Sequence, residues 1–142
     1  MKRHDNNGLR VERRICRQFH GKECSHYCID FTTQRCAYEV KSCQLLQWVT
    51  NSNHKRPHKG EAPHRPCRST HRGRFVVKRM NHVALKVTAD DFGLEARYVF
   101  VVEMGRQLIM KVVPWQDVNQ WMNSRAEVTL LSLRCVWGRE IK

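Results

Sequence analysis

The chain has 142 residues, enough for one domain, and carries 26 Lys+Arg against 13 Asp+Glu, with 8 His, for a net charge of +13. Hydrophobic content of 41% supports a core and argues against wholesale disorder, and no apolar run approaches the roughly 18 residues that cross a bilayer. The opening Met1-Lys2-Arg3-His4-Asp5 has no apolar stretch behind it, so a secretory signal is not expected; the expectation is a cytoplasmic protein without membrane contact whose charge suits a polyanion, most simply nucleic acid.

Residues 9–20 read as a helix, with Val11, Ile15 and Phe19 recurring every four residues beside Leu9 and Cys16. Asn6 or Asn7 is a candidate cap, and Gly21 a candidate terminator. At about 100° per residue, Arg10, Arg13, Arg14 and Arg17 fall on the opposite side, whereas Glu12 projects between Phe19 and Cys16, inside the apolar arc. A carboxylate facing a core needs a metal, a cation or a set of hydrogen bonds; the plainer reading is a Glu paired to an Arg at the rim. Residues 27–31 form a short β-rich run, 32–35 a hairpin loop, and 36–43 a second strand on which Tyr38 and Val40 share one face and Glu39 and Lys41 the other. Residues 51–74 hold seven Lys/Arg, four His and three Pro with one acid and no apolar periodicity, which reads as a basic flexible loop. Its His54, His58, His64, Cys67 and His71 match no zinc-finger spacing.

Phe75-Val76-Val77 reads as a short strand, and residues 81–89 as a helix with Val83, Ala84 and Val87 on its apolar side. Tyr98–Val102 is a continuous apolar run suited to a strand buried on both faces, followed by a Gly105-Arg106 turn and a strand over 108–113. Pro114 opens a helix whose apolar side is Trp115, Val118, Trp121 and Met122, and residues 128–136 read as a last extended segment. The seven Cys are odd in number and lack matched C-x2-C pairs, so unpaired thiols are expected.

The chemistry concentrates on the hairpin. Residues two apart on a strand point the same way, so Glu39 and Lys41 share a face, and antiparallel pairing brings Asp30 beside them. Two carboxylates suit Mg²⁺, which takes oxygen ligands and keeps several waters, and a lysine alongside suits phosphate and water positioning. The plainer reading is a cross-strand ion pair on an exposed hairpin face.

The set Glu12 … Asp30 … Glu39-Val40-Lys41 resembles the PD-(D/E)xK nuclease superfamily, and Tyr38-Glu39-Val40-Lys41-Ser42 is similar to the motif strand of archaeal Holliday junction resolvases and related viral or phage nucleases. The resemblance covers residues 9–43 most directly; Gly73-Arg74-Phe75, Asn81-His82 and the 98–102 run resemble small archaeal and phage members more loosely. It departs from the pattern at Ile29, where the superfamily's name has Pro, and in the nine residues between His20 and Asp30, where an extra strand usually fits.

The resemblance implies a single α/β domain over residues 1–142, with a mixed central β-sheet flanked by helices in a restriction-endonuclease-like core. It implies Mg²⁺-dependent phosphodiester hydrolysis, with Mn²⁺ as a substitute. Asp30, Glu39 and the carbonyl of Val40 would be metal ligands, Lys41 the catalytic lysine, and Glu12 the supporting helix carboxylate. Arg10, Arg13, Arg14 and Arg17, with Lys55, Arg56, Arg72 and Arg74 of the basic loop, would grip phosphates of DNA, branched DNA included. Cleavage of a junction implies a homodimer, since two active sites are needed. From another class, the alternative is a non-catalytic nucleic-acid binder with a structural zinc in the loop.

Overall fold

The computed structural model describes residues 6–24, 26, 28–50 and 68–141. The first helix, α1 (Asn6–Gln18), buries Val11, Ile15 and Cys16 as its periodicity predicts. It ends at Gln18, three residues before the expected glycine. His20 takes the left-handed φ of 52°, with His20 N–H donating to the Arg17 carbonyl and Gly21 N–H to that of Cys16. This is the doubled closing bond of a Schellman end. Gly21 serves packing instead, because a Cβ there would stand 2.4 Å from the Phe31 ring.

Two very short strands, β1 (Lys22–Glu23) and β2 (Phe31–Thr32), and the long β3 (Cys36–Gln44) follow as an antiparallel meander. The nine-residue gap before Asp30 therefore does hold a strand, of two residues. Aromatic packing fixes this hairpin under α1: Phe31 stacks on Tyr38 at 4.7 Å, and Phe19 meets both rings edge-on. The chain then bends at Leu45 into β4 (Leu46–Thr50), which pairs with β5 (Arg68–Arg72); after Gly73 it continues as β6 (Arg74–Lys78).

The crossover helix α2 (Arg79–Asp91) returns the chain to β7 (Glu95–Met104), parallel to β3 over nine paired positions, and β8 (Gln107–Pro114) closes the sheet antiparallel to β7. The order β1-β2-β3-β7-β8 makes a mixed sheet. Its central run Tyr98–Val102 is wholly buried, as its continuous apolarity predicts. One face packs under α1 through Tyr38, Val40, Val99 and Val101. The other packs Tyr98, Phe100 and Val102 against Leu85 and Ala89 of α2, Phe75 and Val77 of β6, and Leu131 of β9 (Val128–Ser132), which pairs with β6. Helices α3 (Trp115–Trp121) and α4 (Leu133–Trp137) complete a single α/β domain with its mixed sheet flanked by helices. Among the described residues no helix is long and apolar enough to cross a membrane.

Three expectations are corrected. The segment 51–74 is not a loop throughout: Arg68–Arg72 and Arg74–Lys78 are strands. A polar strand needs a partner for its backbone rather than an apolar face, and β4 supplies one; Lys55, Arg56, His54, His58, His64 and Cys67 lie outside the described residues. On α2 the buried residues are His82, Leu85 and Ala89, not Val83 and Val87, because the sheet meets the helix on its other side. The segment 128–136 is a strand only to Ser132, whose Oγ accepts from Cys135 N–H at 3.0 Å and caps α4.

Candidate functional site

The hairpin brings the expected acids together. Asp30 sits at the mouth of β2, where its own N–H donates to the Tyr38 carbonyl and its Oδ2 accepts from Val40 N–H at 2.6 Å. That bond pins the carboxylate against β3. A residue's N–H and C=O leave a strand on the same edge, so the Val40 carbonyl also lies on the Asp30 side. Glu39, one position back, pairs with Tyr98 of β7 in register and is buried, its side chain 9% exposed. Its Oε1 meets Lys41 Nζ at 3.1 Å, whereas its Oε2 is buried with no hydrogen-bond partner. Glu12 reaches the same place from α1. It lines a cleft of about 210 Å³ with Asp30, Arg13, Cys16, Glu23, Cys24 and His26.

The electrostatics show that these groups sense one another. Burial first, then the charges of Asp30 and Glu39, push the Glu12 carboxyl up to about 7, with Lys41 opposing. Asp30 is raised by burial against the Val40 N–H and Lys41. Glu39 is raised by burial, opposed by Lys41, with Asp30 adding to the rise. Three carboxylates share one lysine, in a chain that is otherwise strongly basic. A raised carboxylate pKa means that the ionised form lacks compensation, and a bound cation supplies it.

Among the described residues no three His, Cys, Asp or Glu side chains converge tightly enough to hold a metal ion by themselves. Mg²⁺ does not require that, since it is held by one or two carboxylates together with waters and substrate phosphate. Glu39's orphaned oxygen, with the Asp30 carboxylate beside it, fits such a hard cation.

The arginines of α1 do not act as one row. Arg13 stands on the carboxylate side, 3.7 Å from Glu23. Arg10, Arg14 and Arg17 instead line a second cleft of about 350 Å³ with Glu103 and Leu108, and Arg10 reaches Glu103 at 3.8 Å. Arg106 on the β7–β8 turn completes that cleft, a residue that sequence reading missed because a turn arginine has no periodicity to mark it. Arg72 is tied to the Ile141 carbonyl at 2.7 Å, and Arg74 stands exposed on β6, so these two belong to a different part of the surface.

His82 is a core histidine. Its Nε2 bonds Asn119 Oδ1 at 3.1 Å and its Nδ1 bonds Tyr98 Oη at 2.7 Å, while Trp115 stacks on the ring at 4.3 Å. Burial lowers its pKa, which holds it neutral. The six described cysteines are unpaired thiols. Compared with known proteins, the chain matches no family model, no curated protein and no solved structure.

Proposed function

We propose that the protein is a Mg²⁺-dependent DNA endonuclease with a restriction-endonuclease-like core. The observation that carries this reading is the buried, unpartnered Oε2 of Glu39 beside Asp30, Glu12 and Lys41. An unpaired buried carboxylate oxygen is costly to a fold that gains nothing from it. The mixed sheet, with α1 on one face and the crossover helix on the other, supports the core assignment.

Asp30 and Glu39, with the Val40 carbonyl, would hold the cation. When bound, the ion supplies Lewis-acid polarisation of a phosphate oxygen and offsets the charge that develops during displacement. Val40 N–H fixes which Asp30 oxygen remains available. Lys41, 22% exposed, keeps an ammonium at the edge of the cluster, where it can donate to a phosphate oxygen and orient an attacking water in line. Glu12, its carboxyl raised to about 7, would stand behind the ligands as a carboxyl able to hold a proton. Arg10, Arg14, Arg17 and Arg106 would take flanking phosphates, contacts that position the strand without reading its sequence. Branched DNA cut on two strands would be handled by a homodimer.

The competing reading, a basic nucleic-acid binder, takes Glu39 and Lys41 as an ordinary ion pair. A surface pair does not leave one carboxylate oxygen buried and unbonded, so burial favours the enzyme. Nicked, branched and linear DNA incubated with Mg²⁺ or chelator test this. Cleavage is expected only with the ion, and is expected to be lost in Glu39→Ala and Lys41→Ala with DNA binding retained. Binding of every substrate without cleavage of any sinks the proposal.

A further inference from the structure

Helix α2 carries two apolar stripes. His82, Leu85 and Ala89 face the sheet. Met80, Val83 and Val87 repeat at helical spacing on another side and stand 76%, 50% and 53% exposed. A solvated helix face is ordinarily polar. The outer row of the β6–β9 ribbon extends this stripe: Val76 is registered with Leu130 and Lys78 with Val128, and all three of Val76, Val128 and Leu130 are exposed. Met80, Val83 and Val128 line one groove of about 640 Å³, with Lys78, Arg79 and Glu127 around it. The six apolar side chains leave on the order of 500 Å² of apolar surface in water, the scale at which a patch marks an interaction site.

We propose that this face is a dimer interface and that its occupant is a second copy of the chain. At the rim the Arg79 guanidinium is held by its own chain, donating to the Ala126 and Asn123 carbonyls, which leaves one charge of each sign to pair across an interface. Lys78 and Glu127 stand at the same end of the ribbon with opposite signs, and among the described residues neither is in an ion pair. A twofold axis through the groove sets Lys78 of one copy against Glu127 of the other and repeats the contact symmetrically, as an isologous interface requires. An acidic partner would meet Glu127 unfavourably, and a nucleic acid would leave the apolar centre wet. The inference rests on this face alone and not on the nuclease reading.

Sedimentation equilibrium of the full chain over a micromolar concentration series tests it. A monomer–dimer equilibrium is expected, and Met80→Glu and Val83→Glu are each expected to raise its Kd by at least about tenfold. Both side chains face solvent in the single copy, so circular dichroism should be unchanged. Lys78→Glu and Glu127→Lys should each weaken association several-fold, and the two together should restore it. A monomer at every concentration, a dimer indifferent to the apolar substitutions, or a charge-swapped pair that stays weak would each overturn the proposal. DNA cleavage does not enter these outcomes.

Discussion

Glu12 shows how one side chain couples proton, charge and fold. Its carboxyl is raised from 4.5 to about 7, chiefly by burial, so the folded chain holds a proton that the unfolded chain releases at lower pH. Stability tied to Glu12 is therefore full below about pH 4.5 and is lost as pH climbs towards 7; Asp30 and Glu39, also raised, act with the same sign. Denaturation midpoints at pH 5 and pH 8 should show wild type losing stability on the alkaline side, and Glu12→Gln losing less. Millimolar Mg²⁺ should recover the loss at pH 8 in wild type. Equal losses in both proteins would show that Glu12 does not sense the cluster.

At the scale of elements, the crossing of two strand pairs ties the β4–β5 ribbon to the end of the sheet. β3 runs into β4 and β5 into β6, and the two chains touch where Gly73 N–H donates to the Leu45 carbonyl at 2.8 Å. A Cβ at Gly73 would lie 1.9 Å from the Gln44 carbonyl oxygen and 2.9 Å from Cys43 Sγ. Backbone cannot step aside cheaply, so Gly73→Ala should destabilise by roughly 1–3 kcal/mol, read as a lower urea midpoint. Because β3 also carries Glu39 and Lys41, any cleavage activity should fall with it. Unchanged stability would mean that the crossing is loose.

For the whole molecule, the charge of +13 is distributed unevenly. Acids gather at the mouth of the hairpin, while Arg10, Arg14, Arg17 and Arg106 surround the other flank of α1. Each phosphate neutralised contributes about −0.9 to the slope of log affinity against log salt on duplex DNA. Replacing Arg14 and Arg17 together by Ala should flatten that slope by about 2 and weaken all sequences alike, measured by anisotropy titration at several salt concentrations. A slope that stays as steep would place DNA on another face.

Much of this was legible in the sequence because it depends on local periodicity. The 3.6-residue repeat of Val11 and Ile15 makes α1, the unbroken run 98–102 makes a strand buried on both faces, and alternation places Glu39 and Lys41 on one side of β3. Periodicity also put Glu12 inside the apolar arc of α1, and hairpin pairing put Asp30 beside Glu39, so these acids were identifiable as neighbours. Other features depend on partners distant in the chain, and those only the tertiary structure decided. The polar strand β5 exists because β4 pairs with its backbone. The buried side of α2 is the side that meets the sheet, although another stripe of that helix is as apolar. Arg106 joins the helix arginines only because a turn folds back to them. Sequence alone determined which groups carry charge and which way each turns along its own element; packing determined that Glu39 keeps an oxygen buried without a partner, because burial is a property of neighbours and not of the residue.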